Sequence, residues 1–154
     1  LFFLTGIRMN QDAQQIQQLD PYQTELLRLV NAQRAKGCHC GSQKFSPAQP
    51  LSWNKQLEKA SSIQAQFLAK RKALTHKGQD GLDVRSRLSK ANYSWRAYAE
   101  NIAEGYHSPQ EVFNAWMDSP GHCKNIMGQY QEMAVVRMND YWVQDFGIPK
   151  DNNM

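Results

Sequence analysis

The sequence has 154 residues, of which 41% are hydrophobic and 21% charged, an ordinary globular composition that excludes a wholly disordered chain. This length accommodates one domain with a sizeable core but not two. The formal net charge of +4 favours anionic partners such as lipid head groups, wall polymers or nucleic acid, although no run of five Lys or Arg indicates specific nucleic-acid binding.

Both ends of the chain are predicted to lie outside the domain. The first six residues, LFFLTG, are apolar but far shorter than a membrane span, and we interpret them as a signal remnant or an added segment. A Gln-rich segment follows, so residues 1–19 are predicted to be a poorly ordered tail. The single domain is predicted to cover residues 20–149, followed by a C-terminal tail over 150–154.

The first half of the domain is predicted to contain two helices separated by a loop. Asp20-Pro21 supplies an N-cap and a first-turn proline, and Gly37 supplies an end. Residues 38–50 carry Gly and Pro at several positions and are interpreted as a loop. A second helix is predicted from the cap Asn54 to about residue 72. Its predicted buried stripe comprises Leu57, Ala60, Ile63, Phe67 and Leu68.

The second half is predicted to add shorter helices and then strands. Asp83 caps a short helix over roughly residues 84–91, while residues 93–98 are aromatic and ambiguous. Ser108-Pro109-Gln110-Glu111 is a capping box, and Ser119-Pro120 repeats the cap and proline. Two β-rich runs around Asn139-Asp140 predict a hairpin. Helices come first and antiparallel strands last, so the predicted class is α+β.

Three polar residues are candidates for a site. His76 follows a helix end, Glu100 lies in the segment AENIA, and His122 begins a short helix, so we expect all three beside turns that converge on a cleft. Two imidazoles and a carboxylate can hold a zinc-like ion with one open position, or act as an acid/base group. Histidines bonded to carboxylates for packing alone are the competing interpretation. No HExxH, GxSxG or Gly-rich phosphate loop is present.

The three cysteines allow two interpretations. One disulfide with one spare thiol would imply an oxidising compartment. A metal cluster of Cys38-His39-Cys40 with Cys123 is the alternative, but Cys-x-Cys lacks the two to four intervening residues of the usual zinc knuckle.

Several segments, taken in order, resemble the CAP superfamily of cysteine-rich secretory proteins, antigen 5 and pathogenesis-related 1 proteins, and specifically its compact bacterial branch with an SCP-like extracellular domain. The resemblance covers roughly residues 22–147. It is carried by Leu29-Val30-Asn31-Ala32-Gln33-Arg34, Leu51-Ser52-Trp53-Asn54, Thr75-His76, Asp80-Gly81, Ala99-Glu100-Asn101-Ile102-Ala103, Ala115-Trp116-Met117, Ser119-Pro120-Gly121-His122, Asn125-Ile126-Met127 and Tyr141-Trp142-Val143-Gln144-Asp145-Phe146-Gly147.

The resemblance implies a three-layer α-β-α sandwich with a small antiparallel sheet. The family's cleft carries two histidines and two acids, which bind a divalent metal in some members. His76, Glu100 and His122 match three of these positions. Ser119 stands at the fourth, which is usually acidic, and the neighbouring Asp118 could substitute only from a different direction on the helix.

The resemblance also implies a disulfide between Cys40 and Cys123, because bacterial relatives with Cys-Gly after the first helix often carry a cysteine directly after the second histidine. Cys38 is then the odd thiol, and it could compete. Trp116 is expected to anchor this part of the cleft in the core, and Trp53 and Trp142 are also expected to be core residues.

The function that these observations imply is a secreted or periplasmic binding module, expected to be monomeric, whose cleft binds a divalent cation or a small ligand. Its partner would be an extracellular or envelope ligand: a lipid, a wall polymer or a protein. No established catalysis is expected. The alternative is a metal-assisted or acid/base hydrolase that uses His76, Glu100 and His122.

Overall fold

The structure, a computed structural model, describes residues 18–151. Five α-helices lie in that part of the chain: α1 (Pro21–Lys36), α2 (Lys55–Arg71), α3 (Val84–Lys90), α4 (Pro109–Asp118) and α5 (Pro120–Met127). The strands are β1 (Cys38–Cys40), β2 (Gln43–Phe45), β3 (Ser52–Trp53), β4 (Trp95–Glu104), β5 (Glu132–Met138) and β6 (Tyr141–Pro149). None of the described helices is long and apolar enough to cross a membrane.

The main sheet has the strand order β3-β5-β6-β4. Its long strands are antiparallel, as predicted, whereas the two-residue β3 pairs with β5 in parallel. The predicted turn at Asn139-Asp140 joins β5 and β6, and Asn139 takes a positive φ of 54°, which asparagine tolerates better than most residues. β4 is therefore an edge strand, and its register places Glu100 opposite Asp145 of β6.

The sheet is covered on both faces, so the predicted three-layer α-β-α sandwich is confirmed. Residues 141–147 of β6 are all buried, although side chains alternate between the two faces of a strand. On one face, Val143 packs with Leu68 of α2. On the other, Trp142 packs with Trp116 of α4, and α1 and α5 complete that layer. The predicted core tryptophans are buried, with Trp116 1% and Trp142 0% exposed.

Local sequence signals place most helix starts correctly. Asn54 Oδ1 accepts a hydrogen bond from Leu57 N at 2.9 Å, and Asp83 Oδ1 accepts one from Ser86 N at 2.8 Å. The Ser108 hydroxyl accepts one from the Glu111 amide at 3.2 Å. These contacts satisfy amide groups that have no partner within their own helices.

Two predictions about the first half of the chain are wrong. Residues 38–50 are not wholly a loop, because β1 and β2 pair as an antiparallel hairpin. The buried face of α2 is also rotated: Ile63 and Phe67 are only partly buried, whereas Ser61 and Gln64 are fully buried. Both polar side chains find partners outside the helix, which periodicity of apolar residues does not reveal.

The predicted tails lie mostly outside the described residues. Of residues 1–19, the structure describes Gln18 and Leu19, and Leu19 packs against the core. At the other end, the backbone amide of Lys150 donates to the Ser94 carbonyl at 3.0 Å, directly after β6 ends at Pro149.

Candidate functional site

The edge strand β4 presents one polar side chain to each helical layer. Glu100 and Asn101 are consecutive, so they point to opposite faces of the sheet. Glu100 meets α3, and Asn101 meets α5. The prediction that Glu100 lies beside a turn or element end is wrong, since it stands in the middle of a ten-residue strand. Position in the strand fixes the direction of this carboxylate more firmly than a loop would.

Arg87 of α3 neutralises Glu100 inside the protein. Its guanidinium donates from Nη1 to Oε2 at 2.7 Å and from Nη2 to Oε1 at 3.0 Å, the forked geometry of a strong ion pair. The side chains are 0% and 1% exposed. Burial by itself raises the pKa of Glu100, but hydrogen bonds from His76 and Arg87 lower that pKa to about 2. Glu100 is therefore ionised at neutral pH.

His76 is held against this pair from the loop after α2. Its Nδ1 lies 3.0 Å from Glu100 Oε1, and its backbone carbonyl accepts from Arg87 Nη2 at 2.7 Å. Gln64 fixes the same loop by donating from Nε2 to the Thr75 carbonyl at 2.7 Å. The imidazole is nevertheless 55% exposed, and its second nitrogen makes no hydrogen bond among the described residues.

A second buried acid, Asp145 of β6, lies opposite Glu100 on the neighbouring strand. Asp145 is 0% exposed, and its Oδ2 accepts from the Ser61 hydroxyl at 2.8 Å, while Oδ1 faces no donor among the described residues. Burial and the negative charge of Glu100 raise the pKa of Asp145 well above its usual range. Burial and repulsion from Glu100 therefore favour the protonated form of Asp145. The two adjacent buried carboxyl groups thus differ: Arg87 balances the charge of Glu100, whereas burial favours the neutral acid at Asp145.

His122 reaches the other side of β4 from the start of α5. Asn101 Nδ2 donates to the His122 carbonyl at 3.3 Å, and Asn125 Nδ2 donates to Asn101 Oδ1 at 2.8 Å, which ties α5 to the strand. Burial lowers the pKa of His122, and the nearby charge of His76 lowers it further. His122 is therefore neutral at pH 7 and keeps a free lone pair.

Ser119 orients the His122 ring. Its hydroxyl lies 2.9 Å from His122 Nδ1, and it makes no side-chain cap for α5, unlike the other predicted serine cap, Ser108. At the position where the family places an acid, this chain therefore has a neutral partner for the imidazole. The adjacent Asp118 is exposed, and its carboxylate makes no hydrogen bond among the described residues.

The structure contains the disulfide between Cys40 and Cys123 that the resemblance predicted, with a Cα separation of 5.5 Å. It joins the β1–β2 hairpin to α5, directly beside His122. Cys38 is the free cysteine. The sulfurs of these three residues form a compact group, but two of them are bonded to each other and so are not thiolate ligands for a metal.

The carboxylate of Glu100 is not free to act as a ligand. Both oxygens of Glu100 are engaged by Arg87 and His76. Among residues 18–151, only the cysteine group brings three or more His, Cys, Asp or Glu ligand atoms within 4.8 Å of one another. Glu100 is therefore placed to orient His76. The Nε2 atoms of His76 and His122 make no hydrogen bond among the described residues.

Four residues of this site were not predicted from the sequence: Arg87, Ser61, Gln64 and Asp145. Arg87 occupies an inward position of a short amphipathic helix next to Leu88, where an apolar residue would be expected. Asp145 lies in a run of seven residues that are otherwise apolar, small or amide. A charged residue inside a buried pattern is the signal that could have identified both.

Comparison with known proteins agrees with the fold. The model of the CAP (cysteine-rich secretory protein) family matches residues 27–146, which is most of the chain. The chain belongs to this family. The resemblance drawn from the sequence motifs is thereby confirmed.

One curated relative, the uncharacterised protein YkwD of Bacillus subtilis, is 27% identical over 128 residues, covering 81% of this chain and 46% of that protein. A solved extracellular protein of Bacillus anthracis that contains an SCP domain superposes with a TM-score of 0.73 at 18% identity, covering 84% of this chain and 44% of the other. An outer surface protein of Borrelia burgdorferi gives a TM-score of 0.65 at 22% identity, covering 86% and 97%. The chain thus spans less than half of the Bacillus relatives.

Proposed function

We propose that this domain is a secreted or periplasmic binding module whose cleft binds a divalent cation through the free ring nitrogens of His76 and His122, with water completing the coordination. The main support for the proposal is the half-exposed imidazole of His76, whose Nδ1 contacts the buried carboxylate of Glu100. Metal-ligating histidines almost always use their other ring nitrogen in this way, and such partners raise the affinity of the site.

The charges of the cleft suit a soft or borderline cation. Glu100 and Arg87 neutralise each other, so attraction must come from the imidazoles themselves. The lowered pKa of His122 keeps its lone pair free at neutral pH. Zinc is the natural probe, because imidazole is among its preferred ligands. The bound cation would supply a positive centre to which an anionic group of an extracellular or envelope ligand could bind.

The extracytoplasmic location is supported by the Cys40–Cys123 disulfide, since disulfides persist in oxidising compartments. It is also supported by the relatives described as extracellular and outer surface proteins. We propose a monomer that presents the cleft to a lipid, wall polymer or protein.

Calorimetric titration with zinc at about pH 7.5 tests the cation site. The wild type should bind one zinc per chain, and His76→Ala or His122→Ala should weaken binding by roughly tenfold or more. His107→Ala is the matched control, because His107 is 73% exposed and lies outside the cleft. Ser119→Asp should strengthen binding by adding a carboxylate. No binding by the wild type, or equal binding by all histidine variants, would refute the proposed site.

An acid/base hydrolase remains the second candidate, favoured by the lowered pKa of His122, which suits a general base. Peptide, lipid and wall-polymer substrates should be tested with and without zinc. Turnover that is lost in His122→Ala but kept in His107→Ala would support an enzyme. Absence of turnover across the panel would leave binding as the function.

A further inference from the structure

The hairpin after α1 gathers all three cysteines of the chain at one place. In a strand, residues two apart share a face, so β1 directs Cys38 and Cys40 to the same side and the intervening His39 to solvent. That side faces α5, where Cys123 stands. The Cys38 sulfur lies 4.0 Å from the Cys40 sulfur and 3.9 Å from the Cys123 sulfur.

A thiol in contact with a disulfide can attack it and exchange places with one of its two sulfurs. Thiol–disulfide exchange needs a thiolate with access to a disulfide sulfur. Cys38 is partly exposed and is not bonded to another cysteine. The thiol is therefore within van der Waals contact of both sulfurs that it could attack.

We propose that Cys38, Cys40 and Cys123 form an intramolecular thiol–disulfide exchange site, in which Cys38 displaces Cys40 from Cys123. The Cys38 thiol loses its proton, and the thiolate forms a bond to the Cys123 sulfur. The Cys123–Cys40 bond breaks, its electron pair leaves on Cys40, and Cys40 takes up a proton. One disulfide and one thiol are present before and after, so no external oxidant or reductant is required.

Attack on Cys123 is favoured over attack on Cys40. Attack on Cys40 would join two residues of the same strand, whose Cα atoms are separated by two extended steps of about 3.3 Å each. That separation is at the upper end of the range that a disulfide spans, about 4.4–6.8 Å. Cys123 lies on a different element, so its approach to Cys38 is not limited by the extension of one strand.

The resting geometry also makes the exchange slow. The Cys38 sulfur is almost equidistant from the two bonded sulfurs, so it lies beside the bond, whereas displacement requires approach along the bond axis. The Cys38 side chain must therefore rotate before it reacts. Burial raises the pKa of the Cys38 thiol, which reduces the thiolate fraction at neutral pH. Both effects slow the exchange that starts from the Cys40–Cys123 disulfide.

The exchange would act on the cleft, because Cys123 directly follows His122 in α5. A Cβ at Gly41 would lie only 3.3 Å from the Pro120 side chain, which shows how closely the hairpin approaches the first turn of α5. Changing the partner of Cys123 from Cys40 to Cys38 shifts the attachment by two residues along β1. The start of α5, and with it the His122 ring, must adjust to this change.

The test is to locate the free thiol over time in the intact native chain. Protein at about pH 8.5 without added thiol is quenched with acid, alkylated with N-ethylmaleimide, digested without reduction and mapped by fragmentation mass spectrometry. Label should begin on Cys38 and spread to Cys40 until the ratio is constant, as Cys38–Cys123 peptides appear. Cys38→Ser is the matched control and should show no label on Cys40. Label that stays on Cys38 throughout would overturn the proposal.

A second variant tests the product directly. Cys40→Ser, reduced and reoxidised under native conditions, should form the Cys38–Cys123 disulfide and retain no free thiol. Far-UV circular dichroism before and after oxidation checks that the fold is kept. A folded Cys40→Ser protein that retains two free thiols after oxidation would contradict the exchange, because the proposed product would then be inaccessible.

Discussion

Replacing Arg87 with methionine would leave the Glu100 carboxylate buried without its counter-charge. Arg87 and Glu100 are almost wholly buried and joined by two hydrogen bonds, at 2.7 and 3.0 Å. Removing one partner of such a pair costs about 3–5 kcal/mol. Since domains are stable by only about 5–15 kcal/mol, Arg87→Met should lose a large part of the free energy of unfolding.

The pH dependence of that loss follows from the pKa of Glu100. In the wild type this pKa is about 2, below its ordinary value of 4.5. The resulting stabilisation is present above pH 4.5 and is lost as the pH falls through the folded pKa. In Arg87→Met, burial without the guanidinium should raise the pKa of Glu100, so the variant escapes the buried charge by binding a proton. The difference from wild type should therefore shrink between neutral pH and about pH 4.

Urea denaturation at neutral and mildly acidic pH measures both effects. Arg85→Met is the matched control, because Arg85 lies on the same helix but is exposed, and it should change stability by less than about 0.5 kcal/mol. Adding Glu100→Gln to Arg87→Met should recover part of the loss, since the uncompensated charge is removed. Equal costs for the two arginine variants, or no recovery in the double variant, would refute the reasoning.

Two further predictions concern packing and charge. Gly147→Ala should lower the free energy of unfolding by about 1–3 kcal/mol, because the added Cβ would overlap the Tyr93 hydroxyl. The control Gly121→Ala has open space around the added Cβ and should not lower it. Equal urea midpoints for the two variants would contradict this prediction. The pKa of His122, measured by NMR titration, should lie below the ordinary value of 6.5. His76→Gln should raise the pKa of His122, because it removes a neighbouring charge. An unchanged His122 pKa in that variant would contradict the electrostatic coupling of the two histidines.

The parts of the fold that could be predicted from the sequence are those specified by neighbouring residues. Asn54, Asp83 and Ser108 cap helices through contacts three residues away, so their signals are local. The turn at Asn139-Asp140 is equally local. The CAP resemblance, in turn, supplied the pairing of Cys40 with Cys123, which no local pattern specifies.

The unpredicted parts depend on partners distant in the sequence. The sequence around Glu100 and Asn101 does not predict a buried strand, because it contains an acid and an amide. Both side chains are nevertheless buried in β4, because Arg87 neutralises the acid and Asn125 donates to the amide. Gln64 is likewise buried on α2 because it bonds the loop that bears His76. The periodicity of apolar residues predicts neither of these buried polar contacts.

Neither of the two positions at which the family carries an acid offers a free carboxylate here. Glu100 is neutralised by Arg87, and the second family acid is replaced by Ser119, whose hydroxyl contacts His122. In the proposed cation site, affinity would therefore depend on how accurately the two imidazoles are oriented. His76 is held by a rigid buried ion pair, but His122 lies beside Cys123, at the one covalent link that a neighbouring thiol can rearrange. The His122 half of the cleft is thus the half whose geometry the disulfide state can change.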